Sequence, residues 1–132
     1  QAAEAVRFAR ELGFAVVLAT NPVFPAVATE SRIRWAGLEP EEFSLYTTFE
    51  NSHYCKPNPM YYEEVLTKIG LTAQQCVMVG NDTSDDLSAR KAGLQVFLLT
   101  PCLINKEDVD ISQIPHGGFL ELREYLEQIK EK

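Results

Sequence analysis

Three aspartates, Asp82, Asp85 and Asp86, crowd into one short stretch of the chain. Carboxylates this close repel one another unless a cation joins them or one stays protonated. An all-oxygen donor set with room for water suits Mg²⁺ better than a soft metal. The plain alternative is a solvated acidic helix start, where Asp caps free N–H groups and favours the positive end of the helix dipole. Two further polar residues stand in comparable places. Thr20 follows an apolar run, and Lys56 lies in a loop between Cys55 and Pro57. A hydroxyl, an ammonium and a carboxylate-bound Mg²⁺ together make a phosphoryl site: donor, countercharge and metal. Each also has an ordinary reading. A lone Thr commonly caps a helix, and most loop lysines are simply exposed, although flanking prolines stiffen this loop.

The elements that must position these residues alternate along the chain. Residues 2–12 place Ala5, Val6, Ala9 and Leu12 at helical spacing, and Gly13 stops that helix. Residues 14–19 are a six-residue apolar run rich in Val, which reads as a strand buried on both faces. A helix over 25–36 ends at Gly37, and residues 43–49 form a β-prone strand. Asn58-Pro59 then opens a helix that runs through Tyr62, Val65, Leu66 and Ile69 to Gly70. The apolar run 76–79 predicts another buried strand, stopped by Gly80, with the aspartate loop and a helix to Gly93 after it. Residues 95–100 predict a strand, 101–118 a loop, and 119–130 an amphipathic helix. Tyr61, Tyr62 and Trp35 read as core or rim packing, and His53 and His116 take no role.

This order, helix and strand in alternation, implies an α/β fold: a parallel sheet with helices on both faces, in three layers of the Rossmann-like kind. In such a sheet the carboxyl ends of the strands share one edge. Thr20, Lys56 and the aspartates each follow a strand, so the expected crevice gathers all of them.

Composition narrows the partners. The chain has 132 residues, 45% apolar and 23% charged, as in ordinary single globular domains. With 12 Lys and Arg against 19 Asp and Glu, the net charge of −7 argues against a nucleic-acid surface. No apolar run approaches the roughly 20 residues of a membrane span, and no secretory h-region is present. Cys55, Cys76 and Cys102 fit no metal spacing and read as reduced thiols, at least one of them buried. The expected location is cytoplasmic and the expected partner a small phosphorylated metabolite.

Thr20 after its apolar strand, Lys56 in a Lys-Pro-Asn-Pro context opening a helix, and the segment Gly-Asn-Asp-Thr-Ser-Asp-Asp-Leu-Ser-Ala-Arg-Lys-Ala-Gly resemble motifs II, III and IV of the haloacid dehalogenase-like (HAD) hydrolase superfamily. Order and spacing match from about residue 14 to 100. The second and third motifs are specific in combination, and the Thr motif alone is weak. The resemblance implies a Mg²⁺-dependent phosphatase working through an aspartyl-phosphate. It implies that Thr20, with the neighbouring Asn21, binds the transferred phosphoryl group. Lys56 would hold that group and the nucleophile against their mutual repulsion. Asp82 and Asp86 would bind Mg²⁺. Counted back from Ala92-Gly93, the register shifts to Asn81 and Asp85, which keeps Asp85 as the alternative ligand.

Family members begin with a strand ending in Asp-x-Asp, which supplies the nucleophile and the acid/base. Residues 1–13 contain no Asp. The expectation is therefore a partial core domain over 1–132 that lacks its nucleophile strand and any early cap. By itself this form is expected to be catalytically inactive. Between Thr20 and Lys56 a helix and a strand leave no room for a large cap. The family's missing strand lies between the strands ending at Thr20 and at Gly80, so both would keep unpaired edges, and the chain alone is expected to associate or lose cooperativity. The competing reading is a non-catalytic HAD-like binding or interaction module. A receiver-like phosphoacceptor uses similar residues, but there the acidic pair precedes the Thr and Lys.

Overall fold

The computed structural model describes residues 1–131. The chain divides into two compact units, one made of residues 1–53 with the chain from Arg123 onward, the other of Tyr54–Leu122.

In the first unit, α1 (Ala2–Glu11) is followed by β1 (Val17–Leu18), α2 (Ala26–Trp35) and β2 (Leu45–Tyr46). β1 and β2 pair in parallel, Val17 opposite Leu45 and Leu18 opposite Tyr46. α2 begins after Pro25, a residue with no capping side chain. The Glu50 carboxylate takes that role from a distant turn, accepting the Ala26 N–H at 2.9 Å, so an orphan donor of the first turn is satisfied by an anion at the positive helix end. Ala9, Ile33, Leu38 and Leu126 are buried here. Trp35 is 82% exposed, so it serves neither core nor rim as expected. It ends α2 on the face away from the buried Thr29 and Ile33.

The second unit contains α3 (Pro59–Ile69), β3 (Val77–Gly80), β4 (Gln95–Leu99) and β5 (His116–Gly117), and the last helix, α4 (Phe119–Lys130), begins within it. α3 starts as its sequence dictates. The Asn58 side chain accepts the Met60 N–H at 2.9 Å, Pro59 occupies the first turn, and Gly70, at φ 71°, closes the helix in the left-handed region. The sheet order is β3-β4-β5 with parallel pairing throughout. β4 lies between two neighbours, and Val96, Phe97 and Leu98 are buried accordingly. The fold is thus α/β with parallel sheets, as the alternation of elements predicts.

Several boundaries differ from expectation. The run at 14–19 gives only a two-residue strand, half-buried rather than buried on both faces, because among the described residues β1 has a single neighbour. β3 likewise has one neighbour, and Val77, Met78 and Val79 remain half-buried. Within 101–118, expected as loop, His116 and Gly117 pair with Leu98 and Leu99 as β5. A two-residue strand following a proline carries no periodicity that would announce it. None of the cysteines is fully buried: Cys55 and Cys102 are exposed and Cys76 is intermediate. Among the described residues no helix is long and apolar enough to cross a membrane.

Candidate active site

The acidic loop hangs from the end of β3, and one carboxylate organises it. Asp86 is 4% exposed. Its Oδ1 accepts from the Lys56 Nζ at 2.7 Å, and its Oδ2 accepts from the backbone N–H groups of Asn81 at 2.9 Å and Asp82 at 3.1 Å. An ammonium and two amides converging on one buried carboxylate are charge-assisted bonds, stronger than their neutral counterparts. The Lys56 side chain is itself only 10% exposed, which removes it from the class of ordinary loop lysines. Lys56 owes its position to the loop that starts α3: the Asn58 N–H donates to the Cys55 carbonyl, closing a turn around it.

Gly80 makes the approach possible. A Cβ built on it would lie 2.4 Å from Asp86 Cγ and Oδ2, so the carboxylate occupies the space a side chain would need. The strand-stopping glycine therefore cradles Asp86, a role the sequence reading did not assign to it.

Asp82 turns the loop. Its Oδ1 accepts from the N–H groups of Ser84 at 2.8 Å and Asp85 at 3.1 Å, an Asx-type turn. The Asn81 side chain points elsewhere, donating to the Cys102 carbonyl at 3.0 Å. Beyond it the loop is stapled to the segment after β4: Asp82 bridges Ile104, and Thr83 Oγ1 donates to Asn105 Oδ1 at 2.9 Å. Asn105 in turn receives the Val109 N–H and donates to the Val109 carbonyl. This support escaped the sequence reading, because Thr83 and Asn105 are polar residues in loops with no pattern between them.

The segment after Asp86 is a 3-10 helix, Leu87–Ala92, rather than the expected α-helix. The cause is local. In an α-helix the Asp85 carbonyl would take the Ala89 N–H. Here that carbonyl accepts the Tyr62 hydroxyl at 2.7 Å and the Ser88 hydroxyl, while the Ala89 N–H donates to the Asp86 carbonyl at 3.2 Å. Burial raises the Tyr62 hydroxyl well above the ordinary tyrosine range, which keeps it protonated and a donor.

Thr20 and Asn21 belong to the first unit. Both lie just beyond β1, after Ala19, and the Thr20 carbonyl accepts the Thr47 hydroxyl from the residue after β2. The Asn21 carbonyl receives the Val23 N–H at 2.8 Å, which turns the chain toward Pro25 and α2. Within the second unit the structure brings together Lys56, Asp82 and Asp86 and places Asp85 on the same loop with its carbonyl turned to α3.

Among the described residues no group of three or more His, Cys, Asp or Glu side chains is arranged to hold a metal ion. Mg²⁺ asks less, binding through one or two carboxylates with water completing its shell. A carboxylate has about four lone-pair sites. Asp86 uses three of them on Lys56, Asn81 and Asp82, and the bonds named for Asp82 fall on Oδ1 alone. Carboxylate oxygens with lone pairs to spare are the kind of donor a hydrated Mg²⁺ takes.

Known proteins resemble this chain in sequence and in fold. A curated relative, the phosphoglycolate phosphatase of Aliivibrio fischeri, is 41% identical over 58 residues, 44% of this chain and 26% of that protein. Among solved structures, an uncharacterized protein from Listeria monocytogenes serotype 4b superposes with a TM-score of 0.79 at 18% identity, covering 99% of this chain and 80% of that one. A HAD phosphatase from Thermococcus onnurineus gives 0.71 at 20% identity, covering 93% and 55%. Those two likenesses show the fold. The chain thus spans about a quarter of the curated relative and about half of the Thermococcus onnurineus phosphatase. The haloacid dehalogenase-like hydrolase family matches residues 1–93, a span that takes in Thr20, Lys56 and the whole acidic loop, and the chain belongs to that family.

Proposed function

We propose that the protein carrying this chain is a Mg²⁺-dependent phosphatase of small phosphorylated metabolites that works through an aspartyl-phosphate. The observation that supports it most is the contact between Lys56 Nζ and Asp86 Oδ1, a buried cation held on the acidic loop at the end of a parallel strand. In this reading Lys56 supplies the countercharge for the phosphoryl group and the nucleophile. Thr20 and Asn21 donate hydrogen bonds to the phosphoryl oxygens. Asp82 and Asp86 hold Mg²⁺, with Asp85 as the ligand of the shifted register. The turn of the Asn81 side chain toward Cys102 favours the first register. Bound there, Mg²⁺ would supply charge neutralisation at the transferred group.

A nucleophilic carboxylate oxygen forms the new bond to phosphorus as the ester P–O bond breaks, and the leaving alcohol takes a proton from a neighbouring acid. Residues 1–13 hold no Asp, so this reading assigns neither the nucleophile nor the acid to that stretch. Assaying the intact protein against a panel of small phosphate monoesters tests the proposal. Because the Aliivibrio fischeri relative is a phosphoglycolate phosphatase, 2-phosphoglycolate belongs on that panel. Inorganic phosphate should be released from at least one ester, stop on chelation with EDTA and resume with Mg²⁺. Turnover that persists in EDTA, or none with any ester, would overturn it.

A further inference from the structure

We infer that Tyr62 is a positioning residue for the Lys56–Asp86 pair, its hydroxyl setting the acidic loop against the helix that Lys56 introduces. The inference deepens the phosphatase reading and rests on it for its effect on activity, though not for its structural content. Tyr62 sits on α3 and is 2% exposed, its ring edge-on to Tyr61 at 5.1 Å. Its hydroxyl donates to the Asp85 carbonyl at 2.7 Å, one residue before Asp86. The Ser88 hydroxyl reaches the same carbonyl and lies 3.4 Å from the Tyr62 oxygen.

The two bonds differ in what they join. Ser88 is three residues from Asp85, so its bond shapes the turn locally. Tyr62 is far away in sequence, so its bond ties the loop to α3. The two hydroxyls also take the carbonyl from its α-helical partner, leaving the Ala89 N–H to the Asp86 carbonyl. The backbone on either side of Asp86 is thereby fixed, and its carboxylate can reach Lys56 together with the Asn81 and Asp82 amides.

Removing only the hydroxyl, Tyr62→Phe, keeps the ring in the core, and the Asp85 carbonyl keeps Ser88. The variant therefore folds, at the modest cost of one hydrogen bond. What it loses is the tether. Ser88→Ala is the matched control, since it removes a bond to the same carbonyl while keeping the Tyr62 link. The readout is amide hydrogen exchange and ¹H–¹⁵N shifts of Asn81 and Asp82, whose N–H groups report directly on the Asp86 carboxylate. In the intact protein Tyr62→Phe should speed exchange at both amides about fivefold to tenfold and move their shifts, with smaller changes in Ser88→Ala. With an identified substrate, kcat should fall by a similar factor while KM stays near its original value. Unchanged Asn81 and Asp82 amides in Tyr62→Phe, alongside a lowered melting temperature, would make Tyr62 a core residue only and overturn the inference. The amide readout needs neither substrate nor Mg²⁺, so a failed phosphatase assay leaves it intact, and altered amides with unaltered kcat would separate the two readings.

Discussion

Asp86→Ala should destabilise the protein by about 3–5 kcal/mol, the cost of removing one partner from a buried ion pair. The truncation takes from the Lys56 ammonium the carboxylate it contacts at 2.7 Å, in a place where that side chain is 10% exposed. It also strips the Asn81 and Asp82 amides of their acceptor. Against a typical stability of roughly 5–15 kcal/mol this is a large loss. Denaturant unfolding followed by circular dichroism would register it as a fall in midpoint. Asp86→Asn should cost less, because an amide oxygen can still accept from one or both backbone donors. Replacing both charges, as in Lys56→Met with Asp86→Leu, should recover part of the loss, because no lone charge is then left in the interior. An Asp86→Ala midpoint equal to wild type would mean that the carboxylate is not bound as described.

Gly80→Ala should cost about 1–3 kcal/mol as an overpacking change and should disturb the same carboxylate from the opposite side. The added methyl would meet Asp86 Cγ at 2.4 Å and Cβ at 2.5 Å. Asp86 cannot swing away cheaply, since three donors hold it. Either the strand end moves or the carboxylate leaves Lys56, and the change should therefore impair activity as well as stability. A crystal structure or the Asn81 and Asp82 amide shifts would show the displacement. A Gly80→Ala protein with wild-type unfolding midpoint and unshifted amides would contradict the cradle.

The sequence made the helices legible because they carry long periodic signals and strong terminators. Asn58-Pro59 and Gly70 bracket α3 as expected, and α4 covers the span its amphipathic pattern predicts. The strands were legible in place but not in extent. Apolar runs mark where β1 and β3 lie, yet strand length depends on neighbours, and among the described residues each of these two has one. At the site, residue types and spacing were enough to single out Lys56 and the aspartates, but not to say which aspartate meets the lysine. That contact depends on how the chain folds at Gly80 and on hydroxyls from Tyr62 and Ser88, neither of which has a motif. The helix after Asp86 was misread for the same reason: propensity favours an α-helix over those residues, but two side-chain hydroxyls occupy the carbonyl it would need. β5 and the Thr83–Asn105 staple are tertiary contacts between short polar segments, which no local pattern encodes.

If Asp82 and Asp86 hold the Mg²⁺ of a phosphoryl site, a metal titration will show it. The comparison is Asp86→Asn against Asp108→Asn in the intact protein, with Mg²⁺-dependent activity and calorimetric Mg²⁺ binding as readouts. Asp108 is a sound control, exposed in the later loop at φ 52°, a left-handed conformation that Asn accepts readily. Asp86→Asn should raise the Mg²⁺ concentration for half-maximal activity by more than about tenfold, at least the loss seen when a group supporting a metal site is removed. Asp108→Asn should leave it unchanged. Equal effects at the two positions, or a large effect at Asp85→Asn with Asp86→Asn silent, would contradict the assignment of Asp82 and Asp86.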